Sequence, residues 1–119
     1  MSETIGFLFP GQGSQFVGMG ADLYEKYEKA RQVYDSAEQV LELPIKRLSF
    51  EGPEDELRQT RYTQPAILVH SLAALAVLPR MSPALAAGHS FGEYSALYSA
   101  GALGFDAVLK LVKRRGELM

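Results

Sequence analysis

The sequence contains no cysteine. Disulfides, thiolate metal sites and a cysteine nucleophile are excluded, and a reducing cytosol is compatible with that. Excess positive charge is missing too. Twelve Lys and Arg stand against fourteen Asp and Glu, a net charge of −2, so no basic field argues for nucleic acid or an anionic membrane. Met1-Ser2-Glu3-Thr4 lacks the basic start and apolar core of a signal peptide. The longest apolar run, around Pro65 to Leu78, is interrupted by His70 and Ser71. It is shorter than the roughly 18 residues a membrane span needs. No internal repeat, low-complexity tract or linker divides the chain. These absences point to a soluble, cytoplasmic protein with neither nucleic acid nor membrane as a partner. At 119 residues it is one modest domain.

What is present is ordinary in bulk and specific in places. Hydrophobic residues make up 47% and charged residues 22%, enough to bury a core. The chain is organised around Gly88-His89-Ser90-Phe91-Gly92-Glu93. It follows the small apolar run Ala84-Leu85-Ala86-Ala87 and precedes a helical segment, Tyr94 to Ala100. Strand, sharp turn and helix around G-x-S-x-G form a nucleophile-elbow pattern. The tight turn projects the Ser90 hydroxyl, and a side chain at Gly88 or Gly92 would crowd strand against helix. The helix start aims free N–H groups where negative charge develops on an attacked carbonyl. The plainer alternative is a Gly-Ser turn with no chemistry.

Ile5 to Phe9 reads as a buried strand ended by Pro10-Gly11. Gly11-Gln12-Gly13-Ser14-Gln15 follows. Its spacing is neither G-x-G-x-x-G nor a phosphate loop with Gly-Lys-Ser/Thr. It is either a flexible connection or a ligand loop at the carboxyl end of a strand, where a second oxyanion donor could sit. Leu23, Tyr27, Ala30, Tyr34, Ala37 and Leu41 predict an amphipathic helix over roughly Tyr24 to Leu41. Pro44 starts a short turn with Ile45 and Leu48 inward, and Pro53 to Gln59 reads as a short acidic helix. Thr63 as cap and Pro65 in the first turn predict a buried helix from there to about Leu78. The last helix, Phe105 to Met119, carries the stripe Val108, Leu111, Val112, Leu118 and Met119, with Lys110, Lys113, Arg114 and Glu117 opposite. Arg115 falls in the middle of that stripe. It either snorkels to water or binds a carboxylate bidentately.

A serine nucleophile needs a base. The chain has two histidines, and none follows Ser90 beyond the elbow. His89 is adjacent to the serine and points away from it on such a turn. His70 lies in the buried helix and reads as a core residue. The chain stops inside the helix that bears Arg115, with no capping Gly or closing strand. The expectation is that residues 1–119 are the N-terminal part of a longer polypeptide, or half of a split enzyme.

Phe9-Pro10-Gly11-Gln12-Gly13-Ser14-Gln15, Thr63-Gln64-Pro65-Ala66, Gly88-His89-Ser90-Phe91-Gly92-Glu93-Tyr94 and Arg115-Gly116 with Met119 resemble the malonyl-CoA:acyl carrier protein transacylases of fatty acid synthesis. The acyltransferase domains of polyketide synthases are close relatives of that family. The likeness runs along the whole chain but over only the first third or so of the family's length. It implies that Ser90 takes malonyl from coenzyme A, that the N–H groups of Gln12 and Phe91 form the oxyanion hole, and that Arg115 pairs with the free malonyl carboxylate. The family's base His and a Gln beyond it have no counterpart before Met119. An apolar residue after the serine, here Phe91, fits malonyl rather than methylmalonyl.

The implied partners are malonyl-CoA, acyl carrier protein and the remainder of the polypeptide or a complementary chain. No metal and no cofactor are implied beyond the coenzyme A and phosphopantetheine that the substrates carry. The implied fold class is α/β: residues 1–119 as the N-terminal part of an α/β-hydrolase-like subdomain with a mostly parallel sheet, rich in helix, the ferredoxin-like small subdomain absent. The complete enzyme would be a serine acyltransferase and the isolated chain inactive. An α/β-hydrolase-type esterase or thioesterase sharing only the elbow is the alternative, as is a non-catalytic fragment.

Overall fold

A computed structural model describes residues 6–11, 13–78, 85–88, 92–99, 101 and 103–118, with the backbone alone at 6, 7, 85–88, 93 and 97. The fold is α/β and rich in helix, with two parallel strands among the described residues. β1 (Gly6–Phe9) pairs with β2 (Leu85–Gly88) in the register Gly6↔Leu85 to Phe9↔Gly88. Both strands therefore end side by side. Parallel neighbours need a crossover, and here it is a long run of helices.

The helix expected over Tyr24 to Leu41 is two helices, α1 (Ala21–Lys26) and α2 (Glu28–Leu41). Tyr27 between them is extended, at φ −125° and ψ 122°, and 45% exposed rather than inward. The cause is a side chain. Arg31 Nη1 donates to the carbonyls of Tyr24 (3.0 Å) and Glu25 (3.1 Å), satisfying the carbonyls that a helix end leaves open. In α2 the predicted face holds: Ala30, Tyr34, Ala37 and Leu41 are buried.

α3 (Ile45–Phe50) buries Ile45 and Leu48 as the Pro44 start implies, and α4 (Glu54–Leu57) lies within the acidic segment. α5 (Thr60–Val77) begins three residues before the predicted Thr63 cap, so Pro65 lies inside it. Gln59 explains the earlier start: its carbonyl accepts from Tyr62 N (2.9 Å) and Thr63 N (2.8 Å). The Thr63 hydroxyl bonds backwards, to the carbonyls of Leu57 and Gln59, instead of capping a helix ahead of it. Apolar nearly all round, α5 is buried from Thr63 to Val69 and again at Ser71, Leu72 and Ala73. The helix over Tyr94 to Ala100 is α6 (Gly92–Ser99), and the last helix is α7 (Phe105–Leu118).

α2, α5 and α7 enclose the core, where Tyr34, Leu41, Leu68, Val108, Leu109 and Val112 are inaccessible to solvent. α5 and α7 pack more extensively than any other pair of elements. The buried face of α7 runs through Val108, Leu109, Val112 and Gly116. Leu111 (46% exposed) and Leu118 (69%) face outward, and Met119 is outside the described residues. The predicted stripe is thus rotated: Leu109 and Gly116 join Val108 and Val112 on the buried face in place of Leu111 and Leu118. Among the described residues no helix is long and apolar enough to cross a membrane.

Candidate active site

The carboxyl ends of β1 and β2 lie next to each other, at Phe9 and Gly88. The Gly-rich segment follows the first in the chain and the G-x-S-x-G segment the second. Ser90, Phe91 and His89 lie outside the described residues, and so does Gln12. The structure describes the frame on either side of them. β2 ends at Gly88 and α6 begins at Gly92, so a strand and a helix flank the turn as the elbow pattern requires.

Gly92 joins the two halves of this frame. It is buried, and a Cβ there would lie 2.6 Å from the Phe9 carbonyl oxygen and 2.9 Å from that of Pro10. No side chain fits in that space. The first turn of α6 therefore rests on the end of β1, where the Gly-rich loop departs. Its positive dipole end and free N–H groups lie at that junction.

The loop around position 12 is held by its own hydrogen bonds. Ser14 Oγ donates to the Gly11 carbonyl (2.7 Å), Ser14 N to the same oxygen (3.3 Å), and Gly13 N to Gln15 Oε1 (2.8 Å). Gly13 has φ 108°, a conformation that only glycine adopts readily. Gly11 is thus tied to Ser14, and Gly13 to Gln15.

Arg115 lies near the end of α7, at the border of its buried face rather than in the middle of an apolar stripe. It is half-buried, and its Nη1 is shielded from solvent. The next residue, Gly116, faces the backbone of Thr60 and Arg61 in the first turn of α5, where even a Cβ would be crowded. Arg115 is therefore held level with that turn. Three residues on, Gln64 of the Thr63-Gln64-Pro65-Ala66 motif is fully buried.

His70 of α5 lies beside the β1 end of this frame. It lines a groove of about 300 Å³ with Leu8, Phe9, Pro10, Ser71 and Leu75. Burial pushes its pKa below the ordinary 6.5, against a weaker upward pull from Asp22. The sequence reading of a core histidine is thereby corrected: His70 is half-buried on the wall of a groove between α5 and β1 and is not among the core residues. No cluster of metal-ligating side chains occurs among the described residues. Sequence reasoning missed the packing role of Gly116. Its signal was a glycine inside an amphipathic helix, a choice that needs a reason.

Comparison with known proteins agrees with this frame. Residues 6–119 match the family model described as the acyl transferase domain. The malonyl CoA-acyl carrier protein transacylase of Bacillus subtilis is 49% identical, the match covering 98% of this chain and 38% of that protein. A crystal structure of MCAT from Streptococcus pneumoniae superposes with a TM-score of 0.92 at 46% identity, over 98% of this chain and 38% of that one. A malonyl-transacylase solved in complex with a type II PKS acyl-carrier protein superposes at 0.91 with 43% identity, again over 98% and 38%. The chain thus spans about two-fifths of the length of these relatives. A match that begins in β1, passes through both glycine-framed turns and continues beyond Arg115 leaves one conclusion: the chain belongs to the acyl transferase domain family.

Proposed function

We propose that this chain is the N-terminal part of a malonyl-CoA:acyl carrier protein transacylase, with Ser90 as nucleophile, the N–H groups of Gln12 and Phe91 as oxyanion hole, and Arg115 as the carboxylate clamp. The observation that carries the proposal is the seat of Gly92 on the carbonyls of Phe9 and Pro10. It ties the elbow helix to the start of the Gly-rich loop, so donors from both can meet one oxygen. The name of the Bacillus relative supports the substrate, and the solved carrier-protein complex supports the partner. The subdomain is α/β-hydrolase-like, and the enzyme works in the cytoplasm without a cofactor or metal.

The chemistry is ping-pong acyl transfer. A base from beyond Met119 takes the Ser90 hydroxyl proton, and Oγ attacks the thioester carbonyl carbon. The developing oxyanion is held by the two N–H groups, each contributing on the order of 3 kcal/mol. The C–S bond breaks and coenzyme A leaves as a thiol with the proton. The phosphopantetheine thiol then attacks the malonyl ester, and the proton returns to Ser90. Arg115 pairs with the malonyl carboxylate throughout and selects acyl groups that carry one.

The test uses the 119 residues alone and fused to the C-terminal portion of the Bacillus relative that lies beyond the match. Each is incubated with malonyl-CoA and weighed intact. The fusion should gain one malonyl group and lose it to acyl carrier protein, Ser90→Ala should gain none, and the isolated chain should stay unloaded. A fusion that releases free malonate without transfer would favour the thioesterase reading. One that never loads would sink the assignment.

A further inference from the structure

We infer that Gly116 is a positioning residue: it lets α7 lie directly on the backbone of α5 and so sets how far Arg115 reaches towards an acyl carboxylate. The inference rests on the reading of Arg115 as the clamp. Glycine is the poorest helix former after proline, yet Gly116 sits within α7, two residues before its end at Leu118. Its backbone does not call for glycine, since it is absent from the positive-φ positions. What it supplies is space. A Cβ there would stand 3.1 Å from Arg61 Cα and 3.1 Å from the Thr60 carbonyl oxygen. Both are main-chain atoms, which cannot rotate away as a side-chain tip can.

The turn they belong to is firmly tied. Tyr62 N and Thr63 N donate to the Gln59 carbonyl at 2.9 and 2.8 Å. The Thr63 hydroxyl reaches the same oxygen at 3.0 Å, and the Leu57 carbonyl as well. A side chain at 116 would therefore have to part the last turn of α7 from an α5 turn that does not yield internally. One turn earlier, Lys113 Nζ donates to the Leu41 carbonyl at 2.6 Å and fastens α7 to the end of α2. The displacement would fall on the last turn, which carries Arg115. Charge-assisted bonds to a carboxylate work over a narrow range of distance. A shift of a few tenths of an ångström should weaken recognition of malonyl and leave acetyl, which has no carboxylate, untouched.

Rates of Ser90 loading from malonyl-CoA and acetyl-CoA, read by quenched intact mass in the same fusion, test this. Gly116→Ala should slow malonyl loading about fivefold and acetyl loading less than about twofold. In an Arg115→Ala background the same change should leave the malonyl/acetyl ratio where it is. Equal slowing of both acyl groups, or an undiminished effect of Gly116→Ala without Arg115, would overturn the inference. If Arg115→Ala alone leaves the ratio unchanged, the clamp reading fails instead. Should Gly116→Ala not fold, Lys113→Met probes the same placement of α7 by releasing it from the Leu41 carbonyl: malonyl loading should fall about threefold and acetyl loading less than about twofold. A wild-type malonyl/acetyl ratio in Lys113→Met would then overturn the inference.

Discussion

The helical side and the strand side of this molecule are finished to different degrees. Around α5, residues from α2, α3 and α7 pack until Tyr34, Leu41, Ile45, Leu68 and Val108 have no exposed surface. On β1, Phe9 is buried while its neighbour Leu8 is 85% exposed. Parallel strands are ordinarily covered on both faces. The helical layer is held by its own residues, whereas Leu8 on β1 is left largely uncovered by this chain. The candidate site lies where the strands end, so its precision depends on the less supported side. Gly92 matters for that reason: it is a backbone contact between helix α6 and strand β1, not a side-chain one.

The largest expected effect is at that contact. Gly92→Ala puts a methyl 2.6 Å from the Phe9 oxygen, and α6 must move away from β1. Ser90 loading in the fusion should fall by about a hundredfold or more, while the far-UV circular dichroism of the helices stays unchanged. Undiminished loading would mean that α6 and the Gly-rich loop do not act together.

Next comes the contrast itself. In the isolated chain Leu68→Ala should cost about 3 kcal/mol by urea unfolding, as a core truncation does. Leu8→Ala should stay within about 0.5 kcal/mol. In the fusion Leu8→Ala should instead cost about 2 kcal/mol, because there β1 has something to pack against. Equal costs for Leu8→Ala in both proteins would break the contrast.

Much of this fold was legible in the sequence, for a physical reason. Prolines and glycines mark ends locally, so β1, α3, α4 and the two sides of the elbow fall where Pro10, Pro44, Pro53, Gly88 and Gly92 put them. The misses share a cause as well. Arg31 splits α1 from α2 by reaching back seven residues to Tyr24. The Gln59 carbonyl starts α5 a turn before Thr63. Gly116 of α7 faces the backbone of α5 more than fifty residues away in the chain, with little room for a Cβ between them. Periodicity reports which residues prefer burial, but not which side chain will cap a distant carbonyl or which glycine will accept a backbone. Spacing likewise announced the elbow glycine, but the two oxygens it rests on are a tertiary fact.

His70 lies on the seam between the two sides and reports on it through pH. Burial lowers its folded pKa below 6.5, so the unfolded chain binds the proton more readily. Stability from this group is complete above about pH 6.5. It is lost as pH falls through the folded pKa, with a slope of at most about 1.4 kcal/mol per pH unit. His70→Leu should flatten that part of the stability profile. An unchanged profile would mean that the imidazole is already solvated at the seam.

The smallest effect belongs to the surface of the finished side. Lys46 Nζ lies 2.7 Å from Asp35 Oδ1 and 3.6 Å from Glu38 Oε1, above the Tyr24 ring. The hydrogen bond from Lys46 holds the Asp35 carboxyl below its usual range, and the same bond raises the Lys46 ammonium. A lowered acid stabilises above its unfolded pKa and loses that contribution as pH falls. A raised base stabilises below its unfolded pKa and loses it as pH rises. The pair therefore contributes between about pH 4 and pH 10. Its side chains are 32% and 53% exposed, so solvent screens most of the attraction. A double-mutant cycle of Asp35→Asn and Lys46→Met should give about 0.5 kcal/mol, vanishing in 1 M salt. A salt-resistant coupling of about 2 kcal/mol would mean that this corner of the helical layer is cohesive to its surface, and the contrast with the strands would be sharper than burial alone makes it.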